Sequence, residues 1–256
     1  LGSVDWTFYW LHRIPTDQVA YTARDAMDII AGGIFAGVDI YPPSSIKQQL
    51  EDEPGLQGFN REERNRLKQE AFFKTGTWFF NKQGFNGTSL DEIAEQLNVS
   101  KGAFYYHIKN KEDLLFHCYN RSLDIMDNIH EQAAQSGASG MAKTELVCRR
   151  TFHVQNSDEG PLIRYNTITS LTSARRREIL RRTSAADEKL GAFLNEGIED
   201  GSVRPINTFV AQQLIAGAIN AAMDIKLWRK VDDIDKASSD YFDVIFSGLL
   251  PRSADQ

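Results

Sequence analysis

Two short helical segments, each with an N-terminal cap and separated by a tight turn, constrain the fold of this 256-residue chain most strongly. The first runs over residues 89–96, behind the hydroxyl and carboxylate pattern Thr88-Ser89-Leu90-Asp91-Glu92 that is typical of a helix N-terminus. Asn98-Val99 forms the turn, and Ser100 caps a second helix that ends by His107. These dimensions predict a helix-turn-helix.

The pattern around this unit is helical nearly throughout, and no long alternating strand is present. The breakers at Tyr41-Pro42-Pro43-Ser44-Ser45 and Glu51-Asp52-Glu53-Pro54-Gly55 predict a linker over residues 39–60. Apolar periodicity and punctuating residues predict these helices: 16–35, 61–83, 111–135, 141–155, 161–172, 174–200, 207–229 and 233–249.

Composition narrows the class of protein. The chain is 41% hydrophobic and 25% charged, which suits a folded globular protein, and its longest charge-free runs reach only about half of the ~20 residues that a membrane span needs. No secretory signal is recognised, and Cys118 and Cys148 are interpreted as reduced thiols, so a cytoplasmic location is expected. No metal-ligand spacing, P-loop or catalytic triad stands out, so we expect no cofactor, no metal and no enzymatic activity.

Charge is unevenly distributed along the chain. The net charge is −6, whereas residues 61–120 hold nine basic and eight acidic residues, a net of +1. An acidic chain binds polyanions poorly in general, so a nucleic-acid contact is expected only within that window. The second short helix begins with small and polar residues that allow close approach to bases, and Tyr105, Tyr106 and His107 supply donors for phosphates.

The run TSLDEIAEQLNVSKGAFYYHIKNKEDLL at residues 88–115 resembles the DNA-binding signature of the TetR family of transcriptional regulators. The upstream helix with Phe79, Gly84 and Phe85 fits the same pattern, so the resemblance covers residues 61–115. Two positions depart from it. Asn98 replaces a glycine but tolerates the left-handed turn, and Ile108 replaces an aromatic residue.

The resemblance implies an all-α fold, in which an N-terminal helix-turn-helix three-helix DNA-binding domain precedes a helical bundle for ligand binding and dimerisation. It divides the chain into a helical N-terminal extension and linker (1–60), the DNA-binding domain (61–110) and the effector-binding and dimerisation domain (111–256). It also implies three partners: a double-stranded DNA operator, a small-molecule effector and a second copy in a homodimer. The implied DNA-binding residues are Thr88, Ser89, Ser100, Lys101, Gly102, Ala103, Tyr105, Tyr106, His107 and Lys111.

Each of these residues also has a structural interpretation. The less favoured alternative for Tyr105 is an aromatic residue at the rim of a small core. For Lys101 and Lys111 it is a solvated charge. The apolar positions between them are interpreted as packing residues: Leu90, Ile93, Ala94, Leu97, Val99 and Phe104.

The predicted bundle offers weaker signals. Its candidate ligand-binding residues mix apolar bulk with a few polar groups, although each also fits an ordinary core: Phe152, His153, Tyr165, Ile168, Phe193 and Met223. The small-residue stripe Ala211–Ala222 and the final helix resemble the dimer interface of the family, with a core stripe as the alternative. The arginines at 175–177 and 181–182 are interpreted as a solvated face or as the site of an acidic ligand.

The first 38 residues are unusual ahead of such a unit. Residues 34–38 (Ile-Phe-Ala-Gly-Val) are similar to residues 245–249 (Ile-Phe-Ser-Gly-Leu), which suggests that residues 1–38 are the tail of a preceding regulator unit. The alternative is a helical extension that packs on the body. The aromatic cluster Trp6–Trp10 and the apolar run Ile29–Val38 are too apolar to stay in water. If they copy the terminal helices, they are expected to lie against helices of the body or of a partner, near the dimer-forming face and away from the DNA.

Together these patterns favour a ligand-responsive transcriptional repressor that an effector releases from DNA. Two other functions remain open. One is a protein–protein interaction module that keeps the fold but has lost DNA binding, and the less favoured one is an all-α enzyme. Salt-dependent DNA binding separates the first function from the second, because phosphate contacts impose a steep salt dependence.

Overall fold

A computed structural model describes residues 6–37, 41–42, 61–222 and 231–250 of the protein. Within these ranges the regular structure is helical, and the predicted all-α class is confirmed. The helices are α1 Thr7–Trp10, α2 Val19–Gly32, α3 Arg61–Gly87, α4 Leu90–Gln96, α5 Lys101–His107, α6 Lys111–Gln135, α7 Gly140–Asn156, α8 Ser173–Glu199, α9 Thr208–Ala222 and α10 Ile234–Phe246. Short 3₁₀ turns lie at Leu11–Arg13, Thr16–Gln18 and Tyr165–Ser170. Met223 and, apart from residues 41–42, the predicted linker lie outside the described residues.

The predicted caps position helices α4 to α6. The hydroxyls of Ser89 and Ser100 accept hydrogen bonds from the backbone N–H groups of Glu92 and Ala103, and Asn110 caps α6 through the N–H of Asp113. The turn between α4 and α5 passes through Asn98, whose φ of 52° confirms the left-handed conformation expected there.

Two hydrophobic cores share helix α6. One core joins α3, α4 and α5 to the N-terminal half of α6, through residues such as Phe80, Phe104 and Leu115. The other joins the C-terminal half of α6 to α7, α8, α9 and α10, and includes Ile129 and Phe152. Helix α6 therefore packs in both cores and connects the helix-turn-helix to the bundle behind it.

The segment after α7 differs from the sequence prediction. The sequence pattern predicts a helix over 161–172, but the chain is irregular through Arg164 and then forms only the 3₁₀ turn Tyr165–Ser170. Pro161 explains part of the difference, because it lacks a backbone donor and disfavours a helical conformation at the preceding Gly160. The irregular backbone is held by side chains instead, since Ser122 Oγ accepts from the N–H of Ile163 at 2.9 Å.

The N-terminal segment packs on the bundle, as expected. Helix α1 contacts α9, and α2 contacts both α9 and α10. Trp6, Trp10, Ile29 and Ile34 are all at least 95% buried. Arg204 fixes the end of α2, because its guanidinium donates to the carbonyl of Gly33 at 2.6 Å and pairs with Asp28 at 2.8 Å.

The stripe Ala211–Ala222 does not form an open interface. Ala211 and Ile215 are fully buried, and Ala218, Ile219 and Ala222 are at most 9% exposed within the single chain. Helices α2, α7 and α8 pack around α9. The prediction that this stripe contacts a second copy is therefore wrong for the chain in this conformation, because α9 is already covered.

None of the described helices is both long enough and apolar enough to cross a membrane. Cys118 and Cys148 are free and buried. Burial raises the pKa of the Cys118 thiol to about 12, so both the position and the protonation of this side chain are those of an inert core residue.

Candidate DNA-binding face and effector cavity

Helix α5 presents the residues predicted to read DNA on an open surface. Gly102 and Ala103 are exposed, and a Cβ at Gly102 would meet no atom within 4 Å. Tyr106 is 86% exposed and Tyr105 is 46% exposed, whereas Phe104 is fully buried and anchors the helix. Small residues in the first turn of α5 and aromatic hydroxyls in the next leave this face free for a groove-shaped partner.

Lys101 and Tyr105 on this face are both tied to Asp91 of α4. The ammonium of Lys101 lies 2.5 Å from the Asp91 carboxylate, and the hydroxyl of Tyr105 donates to the same carboxylate at 3.3 Å. The hydrogen bond from Lys101 holds the pKa of Asp91 below its ordinary value. Asp91 therefore orients two candidate phosphate contacts but also places a negative charge beside them.

The remaining predicted contacts have mixed surroundings. Thr88 is 3% exposed, and its hydroxyl donates to the carbonyl of Gly84, so its side chain acts within the fold. The Ser89 and Ser100 hydroxyls act as helix caps. His107 is half-buried against the ring of Phe72.

Lys111 joins the start of α6 to the end of α3. Its ammonium donates to the carbonyl of Thr88 at 3.0 Å and lies 4.8 Å from the centre of the Phe85 ring. It is half-buried at the first position of α6. The lysine thus combines a positive charge near the DNA-reading helices with a structural contact between two elements.

Two arginines of the basic run on α8 bind α6. Arg175 donates to Asp113 at 2.7 Å and to Glu112 at 3.2 Å, both in the first turn of α6. Burial opposes ionisation of Asp113, but hydrogen bonds from Arg175 and from the N–H of Lys109 hold its pKa below the ordinary value. Arg182 pairs with carboxylates about three to four turns further along α6, at Asp124 and Asp127. The start of α8 is therefore fastened to the helix that follows the DNA-reading unit.

A cavity lies between α6 and α8 inside the bundle. It holds about 710 Å³ of space free of protein atoms, counting its open mouth. We call it the bundle cavity. Its walls are mostly apolar: Trp6, Tyr119, Ser122, Leu123, Met126, His130, Val147, Leu162, Ile163, Tyr165, Thr183, Ala186, Asp187, Leu190, Ala216, Ile219 and Asn220.

Most polar groups in these walls are engaged. The Tyr119 hydroxyl donates to the carbonyl of Arg164 at 2.9 Å, the Tyr165 hydroxyl bonds Thr183, and the indole N–H of Trp6 donates to Gln213 at 3.3 Å. His130 bonds the carbonyl of Met126 through Nδ1 at 2.7 Å. Burial lowers the pKa of His130, so the ring is neutral at pH 7 and Nε2 is left as an acceptor.

Two oxygen acceptors in the walls remain open. Among the described residues, Asp187 has no hydrogen-bond or ion-pair partner, and the buried Oδ1 of Asn220 has none either. The apolar surroundings raise the pKa of Asp187 to about 7, against a lowering by the charge of Arg13. The Asn220 oxygen is buried, and a buried acceptor without a partner is costly, whereas Asp187 is only half-buried. The two residues mark the part of the cavity that suits a donor.

Of the five predicted ligand-binding residues that the structure describes, Tyr165 alone lines the bundle cavity, and the sixth, Met223, lies outside the described residues. Phe152 packs against Phe242 of α10, and Ile168 belongs to the core beneath the DNA-reading helices. His153 contacts Arg150 beside Glu159. Phe193 stacks on the ring of His130 but does not itself line the cavity. The structure therefore does not bring the predicted set together at one site.

Sequence reasoning missed Asp187, Asn220, His130 and Trp6. A signal for Asp187 was present, because Thr183, Ala186, Asp187 and Leu190 recur at helical spacing on the inward face of α8. A carboxylate within an apolar helical face is unusual and indicates a functional group. Trp6 carried no such signal, since it reaches the cavity only through tertiary packing.

Comparisons with known proteins agree with this architecture. The sequence profile of bacterial regulatory proteins of the tetR family matches residues 76–118. An uncharacterised HTH-type transcriptional regulator of Bacillus subtilis, YerO, is 37% identical over 83 residues, which cover 31% of this chain and 29% of YerO. The fatty acid metabolism regulator protein of the same organism is 25% identical over 179 residues, covering 66% of this chain and 88% of that protein.

A solved structure extends the similarity to the fold. AibR in complex with isovaleryl coenzyme A and operator DNA superposes with a TM-score of 0.58 at 23% identity, over 70% of this chain and 98% of AibR. The matched stretches span about a third of the length of the first curated relatives, at 29% and 34%. The family profile thus matches the helix-turn-helix region, while the similarity of fold covers 70% of the chain.

Proposed function

The chain belongs to the TetR family of transcriptional regulators, and on that basis we propose that it is a DNA-binding repressor whose operator affinity is set by a small-molecule effector. One observation carries the proposal. The exposed helix α5 is followed directly by α6, and the same α6 forms a wall of the bundle cavity. A ligand in the cavity therefore acts on the helix that positions the DNA-reading unit.

The ion pairs of Arg175 supply the coupling. Helix α8 lines the cavity through Asp187 and grips the first turn of α6 through Arg175. An effector that separates α6 from α8 would move the start of α6, and with it α5. Operator affinity then falls by the effector's differential affinity for the two arrangements. No catalytic step is proposed, and the protein is proposed to act in the cytoplasm.

DNA binding is tested by selecting bound fragments from genomic DNA and titrating them at several salt concentrations. A repressor gives nanomolar to micromolar binding with a steep salt dependence, because Lys and Arg displace counterions from phosphates. A seven-residue reading helix covers only a half-site, so the selected sequences should be nearly palindromic and the working unit should carry two reading helices. Absence of salt-dependent binding would favour the protein–protein interaction module.

The walls of the cavity point to the class of effector. They are apolar, and their open polar atoms, on Asp187 and Asn220, accept hydrogen bonds. We therefore propose an effector with an apolar body and a buried group that donates, such as an amine or a hydroxyl. The isovaleryl coenzyme A in the AibR structure is a thioester, and its acyl end carries no hydrogen-bond donor. The effector class proposed here differs from it in that respect.

The effector class is tested by adding alkylamines, alcohols and fatty acids of matched chain length to the protein–DNA complex. We expect the amine to release DNA at the lowest concentration, because Asp187 offers it a negative charge in apolar surroundings. Release by the fatty acid at equal or lower concentration would contradict the proposed class and would leave the repressor function itself intact.

A Lys111→Ala variant is expected to bind operator and random DNA more weakly by similar factors. The side chain carries a charge beside the reading helices and holds the end of α3 through Thr88, and neither role depends on base sequence. Fluorescence anisotropy titrations measure both affinities. Lys236→Ala is the matched control, because Lys236 is an exposed, ion-paired lysine on α10. Unchanged affinity for both DNAs at low salt would contradict a role for Lys111.

An Asp91→Asn variant is expected to bind random DNA more tightly, on the order of fivefold at low salt, since it removes one negative charge from the face that meets phosphates. The variant also releases Lys101 from its 2.5 Å contact. Asp240→Asn is the control, because Asp240 pairs with a lysine far from that face. Weaker binding by Asp91→Asn alone would show that orientation of Lys101 and Tyr105 outweighs the charge.

A further inference from the structure

A reciprocal set of backbone hydrogen bonds joins the end of α2 to the end of α10. The set consists of two pairs of bonds. In the first pair, the N–H of Ile34 donates to the carbonyl of Ile245 at 3.0 Å, and the N–H of Leu249 donates to the carbonyl of Ile30 at 3.0 Å. In the second pair, the N–H of Phe35 donates to the carbonyl of Phe246 at 3.0 Å, and the N–H of Leu250 donates to the carbonyl of Ala31 at 2.9 Å. Leu249 lies 215 positions after Ile34, and Ile245 lies 215 positions after Ile30. Each bond thus has a counterpart in which the two segments exchange roles.

Two glycines obey the same relation. Gly33 and Gly248 are 215 positions apart and have φ values of 69° and 85°. A Cβ on Gly33 would lie 2.4 Å from the carbonyl oxygen of Phe246, and a Cβ on Gly248 would lie 2.4 Å from that of Ala31. The two segments therefore meet around a local two-fold axis between the glycines. Exchange of donor and acceptor across an axis is the mark of an interface between two equivalent bodies.

The register of the internal similarity follows from this geometry. An offset of 215 aligns four identical residues in each helix end: Asp25, Asp28, Ile30 and Gly33 with Asp240, Asp243, Ile245 and Gly248. The alignment of residues 34–38 with 245–249 that the sequence suggested is wrong by four positions. That alignment pairs the two Ile-Phe dipeptides with each other, whereas in the structure the equivalent residues are the two glycines with positive φ.

The outer sides of the two helices differ in one informative respect. Phe242 of α10 is fully buried in the bundle, whereas Met27, its counterpart on α2, is 64% exposed. A second copy of the chain cannot cover Met27 in the way that this bundle covers Phe242. In that copy, its own α10 already occupies the position on the bundle that α2 would need. Helix α2 therefore fits a bundle in which α2 itself is the last helix.

We propose that α2 is the last helix of a second bundle of the same kind, and that it pairs with α10 inside one polypeptide as the last helices of two identical bundles would pair in a two-fold dimer. The pairing face of α9 and α10 is then filled from within the chain, and the second reading helix needed on a near-palindromic operator belongs to the bundle that ends at α2. The inference rests on the contact of α2 with α10 and is independent of the proposed effector.

A cysteine pair tests whether α2 occupies this place in solution. The double variant Ile30→Cys and Leu249→Cys puts thiols on two residues joined by a backbone hydrogen bond. Oxidation of the 256-residue chain is expected to give a disulfide within one chain, in a yield that does not depend on protein concentration. A product that links two chains, or no disulfide beyond the level of the single variants, would overturn the proposal.

Deletion of residues 1–38 tests whether α2 stands in for a partner. Without α2, the end of α10 is free to meet α10 of another copy across the same axis, so sedimentation is expected to show a concentration-dependent dimer. Adding Gly248→Ala should abolish that dimer, because a second α10 in the place of α2 would bring its backbone as close to the new Cβ as the backbone of residues 31–33 lies in the full chain, at 2.4 to 2.5 Å. Gly201→Ala is the control, since Gly201 has a φ of 78° and no neighbour within 4 Å. A folded, monomeric deletion variant would overturn the proposal, and the cysteine pair decides if the variant does not fold.

Discussion

An Asp187→Asn variant is expected to be more stable than the wild type at pH 8 and to lose this advantage at pH 4. Asp187 faces the bundle cavity without a partner among the described residues, and its apolar surroundings raise its pKa to about 7. Asparagine is similar in shape but carries no charge, so it removes the cost of placing a half-buried carboxylate in apolar surroundings while keeping the side-chain volume.

The direction of the pH dependence follows from linkage. The pKa of Asp187 is higher in the folded protein than the ordinary 3.8, so between about pH 4 and pH 7 the folded state binds more protons than the unfolded state. Its contribution to the free energy of unfolding is therefore complete at low pH and is lost as the pH rises through 7. A difference of about three units corresponds to at most on the order of 4 kcal/mol.

Denaturant titrations of both proteins from pH 4 to pH 8 measure this effect as a difference between pH values, which cancels the cost of burying the amide. Glu199→Gln is the control, because Glu199 is an exposed carboxylate on α8 that does not contribute to the raised pKa of Asp187. Parallel stability curves for wild type and Asp187→Asn would contradict the raised pKa of this half-buried, unpaired carboxylate. The variant should also lose its preference for amine effectors, since the acceptor charge is gone.

The DNA-reading unit could be predicted from sequence because its determinants are local. Ser89 and Ser100 cap helices within three residues of themselves, and Asn98 adopts the positive φ of the turn by its own chemistry. Helix α6 begins and ends at Lys111 and Gln135, as expected from its periodicity. None of these features depends on a distant part of the chain.

The bundle cavity depends on contacts that no local pattern carries. Phe152 and Tyr165 are both predicted from sequence to bind the ligand, yet of these two only Tyr165 reaches the cavity, because the chain before it is irregular after Pro161. Trp6 reaches the same space from the N-terminal segment, and its donor bonds Gln213 more than 200 positions away. The prediction of a homodimer interface at the stripe Ala211–Ala222 is wrong for the same reason. Helix α2 covers α9, and a periodic sequence pattern cannot predict a contact between two helices so far apart in the chain.

A Gly33→Ala variant is expected to lower the melting temperature substantially and to release α2 from the bundle. Gly33 has φ 69° and ψ −172°, a conformation that is almost confined to glycine and costs other residues about 1–3 kcal/mol. The added methyl group would also meet backbone atoms of residues 246–248 at 2.4 to 2.6 Å, where no flexible side chain can move aside. The combined loss is expected to be about 3 kcal/mol or more, which corresponds to roughly 6–12 °C for a protein of this size.

Gly84→Ala separates the two causes of that loss. Gly84 has φ 69° and ψ 177°, nearly the same conformation as Gly33, but a Cβ there meets nothing within 4 Å. It therefore measures the cost of the backbone conformation alone, and Gly33→Ala should cost at least about twice as much. Hydrogen exchange adds a local measurement, because the amides of Ile34 and Leu249 bond across the contact and should lose protection only in Gly33→Ala. Equal melting temperatures and equal protection in the two variants would show that the close approach of α2 to α10 does not hold the N-terminal segment in place.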